Sequence, residues 1–238
     1  MTIKTVFFDA GNTLLTPAIP EAAVLSEAAA RFGAVVDAAT VEKHIKAMYE
    51  YYEELFASDN SVWADDERAA EIWTSMYQYL CGLVGISEIG PQVAQIGYEK
   101  FLDPNSWKLF DDVMPTLLGL QSRQITLGII SNWDSSLESI INGLSIRPYF
   151  DVLISSAVVG LHKPQPEIFN YAIKELQAIK ELQVKKEETM YIGDHINADI
   201  KGALGAGITP VLIDRENNHP DSAEYIRIQN LQDLLGYL

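Results

Sequence analysis

With 238 residues, 48% of them hydrophobic and 21% charged, the chain has the composition of a folded protein of one or two domains, which excludes a disordered or fibrous one. A formal net charge of −16, with no Lys/Arg stripe to override it, repels phosphodiester backbones and excludes nucleic acid as an expected partner. Cys81 is the only cysteine, so no intrachain disulfide forms, and neither a signal-peptide pattern nor an apolar run of membrane-spanning length is present; the expected location is cytoplasmic, with no membrane partner.

The first apolar run, residues 3–8, ends at Asp9 and reads as a buried parallel strand. From about residue 17 to about 107 strand-like runs cease and apolar residues recur at helical spacing. Four stripes stand out: Ala22, Leu25, Ala29 and Phe32; Ile45, Met48, Tyr52 and Leu55; Ile72, Met76, Tyr79 and Leu80; and Val93, Ile96 and Phe101. This segment also holds Tyr49, Tyr51, Trp63, Trp73, Tyr77 and Tyr98, which are expected mainly to pack helix against helix, a few of them lining a substrate cleft. Strand runs return at 125–130, 152–154, 190–192 and 210–213, between helical stretches at 114–122, 136–144 and 167–188. The repeat of Lys-Glu-Leu-Gln at 174–177 and 180–183 is too short for a repeat architecture and fits a charge-laced helix. This alternation predicts an α/β fold, a doubly wound, Rossmann-like parallel sheet formed by residues 1–16 and 108–238, with an all-helical domain of residues 17–107 inserted after the first strand.

Ligands of such sheets bind beyond the carboxyl ends of the strands. There the first run ends in Asp9-Ala10-Gly11-Asn12-Thr13-Leu14, the second in Ser131-Asn132 and the fourth in Gly193-Asp194, with Asp199 further on. Taken singly, such residues are turn formers or helix caps. Two aspartates at one end of one sheet, however, raise each other's pKa unless a cation lies between them, which points to a metal site. Lys163, stiffened by Pro164 and Pro166, places an ammonium at the same rim and offsets the anionic surface that an anionic substrate would meet.

In this order the motifs resemble those of the haloacid dehalogenase-like (HAD) superfamily. Asp9-x-x-x-Thr13-Leu14 resembles its first motif, Ser131 the second, Lys163-Pro164 the third, and Gly193-Asp194 through Asp199 to Gly202-Ala203 the fourth, while the insertion falls where its helical C1 cap lies. Ser131-Asn132-Trp133-Asp134 is similar to the animal haloacid dehalogenase-like hydrolase domain-containing group. The resemblance implies a phosphatase of a small phosphorylated metabolite, with Asp9 as a nucleophile that becomes an aspartyl-phosphate. It further implies Mg²⁺ held by Asp9, the Gly11 carbonyl and Asp194, with Asp199 orienting metal-bound water. Ser131, Lys163 and Thr13 would hold phosphoryl oxygens, and Asn12 and Asn132 would stand on the substrate side.

The chain departs from the superfamily pattern at Gly11, where phosphatases carry a second aspartate as general acid, a group contributing roughly 10²- to 10⁴-fold. His195 is the nearest titratable substitute in sequence. A catalytically weak or inactive ligand-binding protein is the alternative expectation. Related 2-haloacid dehalogenases lack the Gly-Asp of the fourth motif, and phosphonatases use a cap lysine, for which Lys43, Lys46 and Lys100 are formal candidates.

Overall fold

A computed structural model describes residues 2–180 and 183–238. Its main sheet has six parallel strands in the order β5-β4-β1-β6-β7-β8: β1 is Thr5–Phe8, β4 Thr126–Ser131, β5 Val152–Ser155, β6 Thr189–Gly193, β7 Thr209–Ile213 and β8 Ile226–Ile228. The order runs outward in both directions from the β1/β6 pair, so this is a doubly wound sheet whose switch point lies between those two strands. Alternation along the strands assigns the two faces. Phe7, Ile130 and Tyr191 pack against α8 (Pro166–Lys180) and α9 (Lys201–Ala206). Val6, Phe8, Ile129 and Ile192 belong instead to the core shared with α5 (Val113–Ser122) and α6 (Leu137–Gly143).

Two short strands, β2 (Leu15–Pro17) and β3 (Trp107–Leu109), pair antiparallel where the chain leaves and re-enters the sheet domain. Between them lie four helices, α1 (Glu21–Ala30), α2 (Ala38–Ser58), α3 (Asp66–Leu83) and α4 (Gly90–Phe101). Asp65 caps α3 by accepting from the Arg68 N–H, and Pro91 occupies the first turn of α4, where no intrahelical donor is lost. The buried cluster is continuous from Phe8 and Leu14 into Leu25, Met48 and Met76, so the helical layer is a cap seated on the carboxyl edge of the sheet. Three polar bridges join cap to sheet domain: Asp66 accepts from the Ser135 N–H at 2.7 Å, the Tyr98 hydroxyl donates to Asp134 at 3.2 Å, and His195 meets Glu53 at 2.8 Å.

The expected helix over 167–188 is shorter than its pattern. It is described as far as Lys180, residues 181 and 182 of the second Lys-Glu-Leu-Gln lie outside the described residues, residues 183–185 are not helical, and a single 3₁₀ turn, Lys186–Glu188, precedes β6. Phe32 leaves the first helical stripe because α1 stops at Ala30 and its ring is 44% exposed. Tyr79 likewise points outward and stacks on Tyr51 with ring centroids 4.4 Å apart. The edge strand β8 escapes a periodicity reading because three residues centred on Arg227 carry no apolar run. Cys81 is fully buried, as expected of a core residue. No helix of the described residues is long and apolar enough to cross a membrane.

Gly128 is required where β4 passes between neighbours, since a Cβ there would stand 2.6 Å from the Phe7 ring and 2.7 Å from Val152. Gly128→Ala should therefore lower stability by about 1–3 kcal/mol, the cost of overpacking a filled core, read as a fall in the urea midpoint at unchanged m-value.

Candidate active site

The carboxyl ends of β1, β4 and β6 deliver three side chains to one point. The Asp9 N–H donates to the Ile192 carbonyl at 2.8 Å, which continues the β1/β6 ladder one residue further and fixes the nucleophile candidate at the switch point. Asp9 Oδ1 then accepts from the Ser131 hydroxyl at 2.8 Å and from Lys163 Nζ at 2.6 Å. Lys163 is 2% exposed, and all three of its donors are committed: to Asp9, to Asp199 Oδ1 at 2.6 Å and to the Tyr191 hydroxyl at 2.9 Å. Burial works against its charge, but Asp199 and Asp9 outweigh burial and hold the ammonium above the ordinary lysine range. Burial pushes the Asp9 carboxyl up, opposed by the Lys163 ammonium.

Asn132 lines the cavity and also supports this lysine. Its Oδ1 accepts from the Lys163 N–H at 2.8 Å and its Nδ2 donates to the Lys163 carbonyl at 3.1 Å, so both ends of the amide grip one residue. Thr13 is displaced from its expected place among the phosphoryl ligands. Fully buried and absent from the cavity wall, it directs its hydroxyl to Asp194 Oδ1 at 3.5 Å. Asn12 adopts a left-handed backbone with φ of 53° and lines the cavity.

Single carboxylate oxygens of Asp9, Asp194 and Asp199 lie within 4.8 Å of one another. Asp199 is the most engaged of the three, its Oδ1 receiving Lys163 and the Tyr191 hydroxyl and its Oδ2 the His195 N–H at 2.9 Å. Asp9 Oδ2 receives no hydrogen bond from a described residue, and Asp194 receives only the long one from Thr13. These two carboxylates therefore suit a divalent cation, while Asp199 suits the role of holding Lys163 and the β6 loop. The Gly11 carbonyl accepts from the Thr13 N–H at 2.6 Å and keeps a second lone pair. Burial, with Asp199 and Asp9 close by, pushes Asp194 up to about 7.

Arg215 and Glu21, which the sequence reading did not single out, join residues that it did in completing the site. Arg215, just after β7, clamps the Asp9 loop by donating to the Asn12 carbonyl at 3.2 Å and the Thr13 carbonyl at 2.7 Å; it is itself held by both oxygens of Asp112 and lies 3.7 Å over the Phe110 ring. Trp133 fills the side of Gly11, where a Cβ would stand 3.2 Å from its ring. His195, expected as a substitute acid, is committed on both nitrogens: Nδ1 accepts from the Ala198 N–H at 3.0 Å and Nε2 meets Glu53. Above these residues lies a cavity of about 330 Å³ walled by Tyr49, Tyr52, Trp63, Trp73 and Trp107 and entered by Glu21. None of Lys43, Lys46 and Lys100 reaches it.

A sheet switch point armed with an aspartate, a buried lysine and a second aspartate under a helical cap defines a hydrolase of known type. A family model described as haloacid dehalogenase-like hydrolase matches residues 3–207, and the chain belongs to that family. Haloacid dehalogenase-like hydrolase domain-containing protein 3 of Bos taurus is 26% identical over 214 residues, which cover 89% of this chain and 82% of the bovine one. A glyceraldehyde 3-phosphate phosphatase of Methanopyrus kandleri is 31% identical over 140 residues, 54% of this chain and 55% of its own. The magnesium-bound HAD-hydrolase YfnB from Bacillus subtilis shares the fold with a TM-score of 0.76 at 22% identity, over 100% of this chain and 99% of its own.

Because the Asp194 carboxyl is raised above the ordinary range, its ionisation weakens the metal-free fold as pH climbs through about 7. In chelator at pH 8, Asp194→Asn should melt higher than the native chain by about 2–4 °C for each kcal/mol relieved, and the gain should vanish at pH 4. Scanning calorimetry at the two pH values checks this.

Proposed function

We propose that the chain is a Mg²⁺-dependent phosphatase of a small phosphorylated metabolite. One observation carries this reading: Asp9 has one oxygen fixed by Ser131 and Lys163 and the other open to the cavity, the arrangement an attacking carboxylate needs. The phosphatase named among the relatives and the magnesium bound by the Bacillus subtilis protein support it. Magnesium held by Asp9, Asp194 and the Gly11 carbonyl would supply the positive charge that lets a phosphate dianion approach this acidic chain.

Asp9 Oδ2 attacks phosphorus, the ester oxygen leaves, and water then hydrolyses the aspartyl-phosphate. Lys163 opposes, through the Oδ1 contact, the burial that raises the Asp9 carboxyl, and Ser131 sets the rotation of that group. Arg215 holds the loop after Asp9 through the Asn12 and Thr13 carbonyls. The loop supplies no proton to the leaving oxygen, since Gly11 bears no side chain and the Trp133 ring lies against it. That contact also favours a second reading, a ligand-binding protein that retains the site with little turnover.

Turnover of 4-nitrophenyl phosphate should require Mg²⁺ and disappear in Asp9→Asn, whereas alkyl phosphates should be slower by about 10²- to 10⁴-fold. Steady-state kinetics with both esters decides between the two readings: no Mg²⁺-dependent turnover, or turnover that survives Asp9→Asn, rejects the phosphatase. Gly11→Asp alone should not accelerate alkyl esters, because the new side chain meets the Trp133 ring. An acceleration is expected only when Gly11→Asp is combined with Trp133→Ala, measured as kcat on ethyl phosphate.

A further inference from the structure

Among the acidic groups facing the cavity, most are answered by a positive partner. Lys163 answers Asp9 and Asp199, and Glu53 meets His195. Glu21 differs. It opens α1, lines the cavity, and its partners are two phenols, Tyr49 donating to Oε2 at 3.0 Å and Tyr77 to Oε1 at 3.2 Å. No described lysine, arginine or histidine reaches it, and the one charge that acts on it appreciably is another acid, Glu42. Each Glu21 oxygen keeps a lone pair beyond its phenol, so the carboxylate can take two further donors.

The walls beside this carboxylate are aromatic. Tyr49, Tyr52, Trp63 and Trp73 face the same space, with the Trp63 and Trp73 rings edge to face at 6.3 Å. An aromatic wall around an unanswered carboxylate is the chemistry that recognises an organic ammonium: ring faces attract the cation and the carboxylate accepts its N–H groups. A neutral sugar alcohol would instead need several fixed polar partners, and the walls away from the nucleophile are mostly apolar. The cavity, about 330 Å³, suits a phosphoryl group joined to a few carbons and an amine.

We propose that Glu21 and the aromatic wall of the cap select a phosphomonoester of a small amino alcohol, seating its ammonium on Glu21 while the phosphoryl group lies at Asp9. This rests on the phosphatase reading and adds the leaving group to it. Hydrolysis is unchanged in its balance: the P–O ester bond breaks, water provides the new oxygen, and the free amino alcohol departs with its ammonium intact.

The test compares phosphoethanolamine with ethyl phosphate, esters of equal carbon number, on the native chain with Mg²⁺. We expect kcat/KM to favour the ammonium ester by about tenfold or more, chiefly through KM. Glu21→Gln should bring the ratio near one and Glu21→Asp should restore part of it. Because each ratio is measured within one protein sample, a partly unfolded variant does not distort it. A ratio near one in the native chain, or a preference that survives Glu21→Gln, overturns the inference and leaves the phosphatase reading standing. Equal slowing of both esters in Glu21→Gln would mark a proton donor and also overturns it. If neither of these esters nor 4-nitrophenyl phosphate turns over, the phosphatase reading fails by itself; calorimetric affinities of the native chain for the two alkyl esters then decide this one, and equal affinities overturn it.

Discussion

The buried ammonium of Lys163 is the constraint around which the rest of the molecule is arranged. A lysine that is 2% exposed is tolerated only if its three donors all find acceptors, and here they find Asp9, Asp199 and the Tyr191 hydroxyl. Removing one member of such a buried pair leaves a charge unanswered, at a typical cost of about 3–5 kcal/mol. The sheet satisfies the geometry because β1 delivers Asp9, β6 delivers Tyr191, and the π-helical turn Ile196–Ile200 folds Asp199 back beneath them. So close is that return that a Cβ on Gly193 would overlap the Asp199 carboxylate at 2.2 Å. Asn132 then holds the Lys163 backbone from both sides, so chain direction and charge placement are settled together.

The cap depends on this arrangement in turn. His195 sits beside the β6 loop whose backbone Asp199 fixes, and it presents Nε2 to Glu53 of α2. The rings of Tyr52 and Phe56 close edge-on around the same imidazole at 6.5 and 5.4 Å. Trp133 ties the other side, packing against Trp107 at 4.9 Å where β3 returns the chain from the cap. Both sides of the cap are thereby tied to the sheet domain, and the cap places Glu21 and one of its phenols, Tyr49, in the wall of the cavity.

Much of the sheet was legible because parallel strands are buried on both faces and announce themselves as apolar runs; each run also names the first polar residue beyond it. That is why Asp9, Ser131 and Asp194 were found at sequence level, and why β8, short and centred on Arg227, was not. Helix α8 was read too long because its charged spacing continues past the point where the chain turns back to the sheet. Roles were harder to read than positions. Spacing does not show that Thr13 turns to Asp194, 181 residues away, or that Asn132, while lining the cavity, also grips the Lys163 backbone 31 residues on. Arg215, Tyr191, Glu21 and Glu53 gave no signal, since an arginine after a strand or a glutamate opening a helix is ordinary until folding sets it against its partner. Gly11 was noticed as a missing acid, but what stands in its place depends on the rotamer of Trp133, which no spacing encodes.

The distribution of indoles has a consequence of its own. The chain contains four tryptophans, and all four, Trp63, Trp73, Trp107 and Trp133, line the one cavity between cap and sheet. Two belong to the cap, one to the returning strand and one to the loop after β4. Tryptophan emission, excited selectively over that of the eleven tyrosines, thus carries no background from remote indoles. Its wavelength follows the hydration of the cavity, which makes the arrival of a ligand there visible in stopped flow without any added label.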